Sequence, residues 1–280
     1  MVLYHGFTGA RKSETKEERD WYVNAIREEI STLPKDSVVV QGGAPNVDSI
    51  AGEEAEDAGL KVKLFPADWV KFDTLAGPIR NDEMKRYLLQ KKEEGHDIFL
   101  SAYHRDQSLG RGTRDMVKRS IKAEVPTKVE LFQGHHDYEH ETVAFIIHDG
   151  QNMLVQHRTD DAPTWPGHHG LFGGALEPFE DVETAFFREA EEELQIQPWE
   201  INFYRYFIFR TKYETIKMNV YLLDINKTDL NPDDLKSQQR EGQGLLFVKI
   251  DDILSLKMND FDKCIFRFTS KKIMPRSSRG

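Results

Sequence analysis

The chain has 280 residues, 39% of them hydrophobic and 31% charged, a balance that supports globular folding and excludes wholesale disorder. Its net charge of −10 excludes a bulk electrostatic affinity for nucleic acid, but a small phosphate can still be held by local donors. No apolar run reaches the ~18 residues of a membrane span, Met1–Ala10 lacks a signal-peptide layout, and the single cysteine, Cys264, excludes an internal disulfide framework.

Met1–Gly6 reads as a short strand and Glu14–Leu33 as a helix, with Trp21, Tyr22, Ala25, Ile26 and Ile30 at helical spacing. A buried strand at Ser37–Val40 ends in the turn Gln41-Gly42-Gly43, and the helix Val47–Ala58 stops at Gly59. Leu60–Phe65 follows as a strand, Arg80–Lys92 as a helix stopped by Gly95, and Asp97–Ala102 as a strand. Thr113–Lys122 is the next helix and Val125–Leu131 the last strand of the series. This alternation predicts an α/β, doubly wound domain over residues 1–132, with a parallel sheet covered on both faces. Residues 133–141 read as a linker. Its His135, His136 and His140 have no cysteine or fourth ligand at a suitable spacing, so a metal site is the poorer reading.

The rhythm changes over residues 142–280. Thr142–Ile147 and Asn152–His157 predict a hairpin about His148-Asp149-Gly150-Gln151. A glycine-rich loop and a charged helix come next, then strands at Ile201–Thr211, Lys217–Asp224 and Leu245–Val248. A helix starts near Asp260, and Lys271–Gly280 reads as a loose basic tail. The layout is α+β.

The charged helix carries the chemistry. Glu189, Glu192 and Glu193 stand at i, i+3 and i+4, so their carboxylates share one face, opposite Ala185, Phe186, Ala190 and Leu194. Like charges so close are unfavourable unless a cation sits among them. Mg²⁺ takes oxygen ligands and completes its shell with water and phosphate, so the spacing suggests a Mg²⁺–phosphate site. The preceding Phe172-Gly173-Gly174 can bring backbone carbonyls close to an ion.

Gly174, Glu180, Arg188-Glu189-Ala190-Glu191-Glu192-Glu193-Leu194 and Ile196 match the signature Gly-x5-Glu-x7-Arg-Glu-U-x-Glu-Glu-x-Gly-U, where U is aliphatic. In this the C-terminal half resembles the Nudix hydrolases, with Gln195 standing where that family has glycine. The resemblance implies an α/β/α sandwich and Mg²⁺ or Mn²⁺ as cofactor. It implies that the Gly174 carbonyl, Glu189 and Glu193 are metal ligands, Glu192 a ligand or general base, and Arg188 a partner of Glu180 or another carboxylate of the motif. Glu241, in Arg240-Glu241-Gly242, is a second candidate base, where relatives often carry an acid before glycine. Tyr213 falls where a tyrosine marks the branch acting on dinucleoside polyphosphates. Arg158, Trp165 and His169 flank the glycine loop and are candidates to meet a base or phosphate.

In the N-terminal half, Thr8-Gly9-Ala10-Arg11, Gln41-Gly42-Gly43-Ala44 and Gly110-Arg111-Gly112-Thr113 each follow a strand, at the edge where doubly wound sheets bind ligands. Together with Asp48, Ala67-Asp68-Trp69, Ala76-Gly77-Pro78-Ile79-Arg80-Asn81, Met84 and Asp115-Met116, these residues resemble the SLOG superfamily of Rossmann-like nucleotide-binding domains. The resemblance makes Gly9, Arg11, Gly42, Gly43, Asp48, Arg80, Asn81, Gly112 and Thr113 the expected nucleotide-binding set, with Arg11, Arg80 and Thr113 facing phosphate. One branch of that superfamily cleaves N-glycosidic bonds with Gly-Gly-x-Gly-Thr-x-Glu. Here Arg111 breaks the glycine pair and Asp115 replaces the glutamate, which favours binding over catalysis.

The expectation is a cytoplasmic bacterial or phage-encoded enzyme hydrolysing a nucleoside-diphosphate-linked compound, of the ADP-ribose, NAD or dinucleoside polyphosphate kind. Its partner would be a small nucleotide, with no membrane, and a homodimer is compatible with it. The alternatives are a nucleotide sensor with a non-catalytic C-terminal fold, and a bifunctional enzyme whose first domain cleaves a glycosidic bond.

Overall fold

The structure is a computed structural model, which describes residues 1–133, 137–198, 201–228, 230, 235 and 242–274. The chain divides into two compact units, Met1–Asp137 with Ile208–Thr215, and Tyr138–Phe207 with Ile216–Gly280.

In the first unit, strands Leu3–Gly9 (β1), Val38–Gln41 (β2), Lys61–Leu64 (β3), Asp97–His104 (β4) and Thr127–Leu131 (β5) are parallel, in the order β3-β2-β1-β4-β5. Helices Lys16–Thr32 (α1), Val47–Asp57 (α2), Trp69–Phe72 (α3), Ala76–Glu93 (α4) and Gly110–Lys122 (α5) link them. Long crossovers are what parallel pairing demands. Thr15 caps α1 by accepting from the Glu18 N–H at 3.1 Å. Gly59 and Gly95 follow α2 and α4 at φ +73° and +85°, a conformation that costs glycine little. Val40, Met84, Leu88, Ile98, Leu100, Met116 and Val125 form one buried cluster, the product of sequence runs apolar enough to bury both faces of a parallel sheet.

Two helices start earlier than the sequence suggests. Ala76, Gly77 and Pro78 are the first turn of α4 rather than a lead-in to Arg80, because a proline there removes no intrahelical hydrogen bond. Gly110, Arg111 and Gly112 are the first turn of α5 rather than a turn before it. Beneath the sheet lies a buried polar network. Glu29 of α1 pairs with Lys128 of β5 at 3.1 Å, accepts from Ser101 at 2.8 Å and from the Tyr103 hydroxyl, and sits 3.4 Å from His5.

In the second unit, His140–His148 (β6), Asn152–His157 (β7), His169–Gly170 (β8), Asn202–Arg210 (β9), Thr215–Asp224 (β10) and Gly244–Lys249 (β11) are the strands; the last residues of β9 fall in the stretch grouped with the first unit. β10 runs parallel to β6, and β7 runs antiparallel to β6, β8 and β11. The turn between β6 and β7 is held by Asp149, whose Oδ1 accepts from Gln151 N–H at 2.8 Å, with Gly150 at φ +89°. Helix Val182–Leu194 (α6) lays Ala185, Phe186, Ala190 and Leu194 on Val143, Phe145, Ile147 and Leu154. The last helix, Asp260–Ile273 (α7), takes in Lys271, Lys272 and Ile273, so the expected tail does not begin at Lys271. Its start is set by Asn259, which accepts from Asp262 N–H at 2.8 Å. Among the described residues no helix is long and apolar enough to cross a membrane.

Candidate functional site

The apolar stripe of α6 orients its carboxylates away from the core. Asp181 caps the helix by accepting from Thr184 N–H at 2.9 Å. The stripe Ala185, Phe186, Ala190 and Leu194 is wholly buried, which turns Glu189 and Glu193 toward the glycine loop. Glu193 is itself 5% exposed. Its Oε2 accepts from the Gly173 N–H at 3.0 Å and its Oε1 lies 3.5 Å from the Gln156 amide. Glu189 lies so close to Gly174 that a Cβ there would come 2.4 Å from its Oε1, so the glycine is what permits the approach. The Gly174 carbonyl accepts from Val143 N–H at 2.9 Å, which fixes its direction. Glu192, at 54% side-chain exposure, stands furthest into solvent.

Arg188 ties the loop to the helix. Its Nε and Nη2 clamp Glu180 at 2.9 and 3.0 Å, Nη2 also reaches the Ala175 carbonyl, and Nη1 reaches Glu189 at 2.7 Å and Glu192 at 3.1 Å. The fork holds Glu180 below the usual carboxylate range, and Glu180 in turn raises the Arg188 guanidinium. The sequence left its partner open between Glu180 and another carboxylate; it takes both.

Among the described residues no three carboxylate, imidazole or thiol groups form a ready-made cage for an ion. Two carboxylates, Glu189 and Glu193, are gathered on the Gly173-Gly174 backbone instead. That donor set fits Mg²⁺ or Mn²⁺ in kind, since Mg²⁺ is usually held by one or two carboxylates with water and phosphate supplying the rest. Gln156 was not foreseen, although a buried polar residue in a strand of apolar neighbours is a readable signal. Glu241 lies outside the described residues, as do His135 and His136.

Gln195 ends α6 in the left-handed conformation, φ 54° and ψ 39°, and its N–H returns to the Ala190 and Glu191 carbonyls. The helix therefore ends as it would with glycine, and the side chain bears the strain. Arg158 is bound to Thr164 through Nε and Nη2. Trp165 is half exposed, and His169 stacks on His157 at 4.5 Å. Burial pushes the His169 imidazole down. Tyr213 is 82% exposed and belongs to the stretch grouped with the first unit. Asp262, buried beside Gly170, accepts from Leu171 N–H at 3.4 Å, and burial pushes its carboxyl up to about 6.

The first unit has a cavity of about 780 Å³, lined by residues from the carboxyl ends of β1 and β4 and from the first turns of α4 and α5. Gly9, Arg11, Asp48, Arg80, Asn81, Gly112 and Thr113 line it; Gly42 and Gly43 do not. Gly42 instead serves the loop: its N–H donates to Asp48 Oδ2 at 3.2 Å and its carbonyl accepts from Arg80 Nη1. Arg80 is 6% exposed and makes a buried pair with Asp48 at 3.4 Å. Burial pushes the Asp48 carboxyl up to about 6 against the pull of Arg80, and burial likewise lowers Arg80. Asn81 donates to the Gly112 carbonyl at 3.2 Å and to Asp115 at 2.9 Å. Arg11 lies over the Trp69 ring at 5.1 Å.

Comparison with known proteins bears on the second unit. Residues 138–268 match the family model described as NUDIX domain. Similar solved structures include MutT, from a study of the Aliivibrio salmonicida and Vibrio cholerae proteins, at 24% identity over 49% of this chain and 98% of that chain, TM-score 0.38. The NUDIX domain of Shewanella oneidensis NrtR, in complex with ADP ribose, is 17% identical over 48% and 88%, TM-score 0.38. The E. coli dihydroneopterin triphosphate pyrophosphohydrolase is 15% identical over 49% and 96%, TM-score 0.37. No curated protein matches the chain.

Proposed function

We propose, from the premise of a Nudix domain over residues 138–268, that this part of the chain hydrolyses the diphosphate bridge of a nucleoside diphosphate linked to a second group. The observation that carries the reading is the approach of Glu189 and Glu193 to the Gly173-Gly174 backbone. Those two carboxylates and the Gly174 carbonyl would hold Mg²⁺ or Mn²⁺. The ion would neutralise phosphoryl charge and make water at the site more acidic. The chain's own residues then have separable tasks. Gly173 N–H and Gln156 hold Glu193 in place. Arg188 spans Glu180 and Glu189 and so ties the loop to the helix. Glu192, the most exposed of the three, would take a proton from attacking water.

For the first unit, we read a nucleotide-binding domain of SLOG type. Support comes from its parallel order reversing between β1 and β4, with glycine-bearing loops at the reversal.

The test is a panel of diphosphate-linked nucleotides with Mg²⁺ or Mn²⁺, read by product chromatography. Glu193→Gln should cut turnover at least about a hundredfold, given the several kcal/mol of metal-assisted catalysis; a loss under about threefold sinks the mechanism. A second reading, a sensor that binds without turnover, has one observation in its favour: Arg188 pairs with Glu189 and Glu192, two of the carboxylates that hydrolysis would call on. Binding of those nucleotides with no product at any metal concentration would select it.

A further inference from the structure

The short elements between β3 and α4 give the core nothing. Helix α3 and the single 3-10 turn that follows it, Asp73–Leu75, have no buried residue. Yet they hold three large apolar side chains in the open: Trp69 is 49% exposed, Leu75 63% and Val70 101%. Their backbone is nevertheless held in one shape. Asp68 caps α3 by accepting from the Lys71 N–H at 3.0 Å, and the Phe72 N–H returns to the Asp68 carbonyl at 3.0 Å. Scattered apolar residues are ordinary on a protein surface, but three within one short, fixed element mark a contact with another molecule.

The element follows the open edge of the first-unit sheet. At one end of that sheet β5 is paired by Phe209 and Arg210 of β9, whereas at the other end β3 pairs only with β2 among the described residues. Three of the four residues of β3 are exposed, so no described part of the chain covers this edge.

The charges of this surface select its partner. Asp68, Lys71 and Asp73 on the element, and Lys61 and Lys63 on β3, are all exposed, and none of them forms an ion pair among the described residues. A nucleic acid or an anionic membrane would be repelled by the two aspartates. A second copy of the same surface, turned about a two-fold axis, brings unpaired lysines to unpaired aspartates and apolar side chains to apolar side chains. The chain as a whole, at net charge −10, repels a copy of itself. That repulsion is least here, where residues 61–75 hold three lysines against two aspartates.

We propose that residues 69–75, with the β3 edge beside them, form the contact through which two copies of this chain pair about a two-fold axis. The contact is small, well short of the ~20–30 residues that a stable interface takes from each side, so pairing is reversible and roughly micromolar or weaker. Trp69 and the exposed Thr74 also line the cavity of the first unit. The second copy therefore stands at the rim of that cavity, whatever ligand the cavity takes.

The test is sedimentation velocity on the full chain over roughly 1–300 µM, a range that brackets a micromolar constant. A dimer should appear as concentration rises, and tryptophan emission should shift to the blue as Trp69 is covered. Trp69→Phe should keep the dimer and lose that shift. Val70→Ser and Leu75→Ser together should weaken pairing at least about tenfold, as expected when the apolar centre of a small contact is lost. Lys71→Glu, which leaves three acids facing three, should weaken it as well. All three side chains are exposed, so these variants should keep the melting temperature of the unaltered chain. A monomer at every concentration would overturn the proposal. A dimer unaffected by the three substitutions would overturn it too, because it would be joined elsewhere. So would a monomer that binds vesicles containing phosphatidylserine and loses them on Lys71→Glu, which would give the surface to a membrane. Should the apolar double variant fail to fold, the concentration-dependent shift in the unaltered chain, set against Trp69→Phe, decides alone.

Discussion

Lys128 and Glu29 show how one residue can be sound only in company. Both side chains are 1% exposed and their charged atoms lie 3.1 Å apart, with Ser101 and Tyr103 filling the remaining acceptor positions of the carboxylate. An ion withdrawn from water is tolerable only with such partners, and removing one of them strands the other. Lys128→Met should therefore destabilise the chain by about 3 kcal/mol, at the low end for a broken buried pair. Adding Glu29→Gln should recover part of that loss, because the stranded charge goes with it. Urea denaturation of the single and double variants checks the sign: a double variant less stable than Lys128→Met alone would show that the network is not governed by charge. Nothing in the spacing of Lys128 and Glu29 announces this pairing, since it arises only when α1 is laid across the sheet.

At the scale of the element, α6 combines a demanding face with an awkward end. Its Glu-bearing face needs the helix to reach Glu193 intact, and its termination puts Gln195 at φ 54°. A side chain in that region costs about 1–2 kcal/mol relative to glycine, offset in part by the greater freedom glycine has in the unfolded chain. Gln195→Gly should raise stability by about 1 kcal/mol or slightly less, seen as a higher melting temperature. A lower melting temperature would mean that the glutamine side chain contributes more through its contacts than the backbone loses. The carboxylate spacing of α6 was legible in the sequence, because i, i+3 and i+4 positions must share a face whatever surrounds them. The alternation of strands and helices was legible for the same reason, as local periodicity. What was not legible depends on tertiary pairing. The two-residue β8 exists only because His169 and Gly170 meet His157 and Gln156, and Gln156 meets Glu193 only through a fold that joins distant segments. The early starts of α4 and α5 were hidden because glycine and proline signal turns and helix starts alike.

Across the whole molecule, the net charge of −10 conceals carboxylates that respond to pH in opposite directions. Burial raises Glu29, but Lys128, His5, Tyr103 and Ser101 together pull it from 4.5 down to about 2. Burial pushes Asp48 and Asp262 the other way, from 3.8 up to about 6. A carboxyl with a lower pKa when folded releases protons on folding, so its contribution is complete above 4.5 and is lost as pH falls toward 2. One with a higher pKa when folded takes protons up, so its contribution is complete below 3.8 and is lost as pH rises through 6. Stability should therefore climb as Glu29 ionises and decline as Asp48 and Asp262 do, with the two slopes opposing each other between 3.8 and 4.5. Denaturant midpoints measured at intervals from pH 2 to 7 would trace both limbs. The upper limb can be assigned by substitution. An Asp48→Asn, Asp262→Asn double variant has no proton to lose there, so its midpoint should decline less steeply between 3.8 and 6 than that of the unaltered chain. If the slope in that window is the same with and without the two carboxyls, the decline belongs to other groups, and neither aspartate is held neutral by burial.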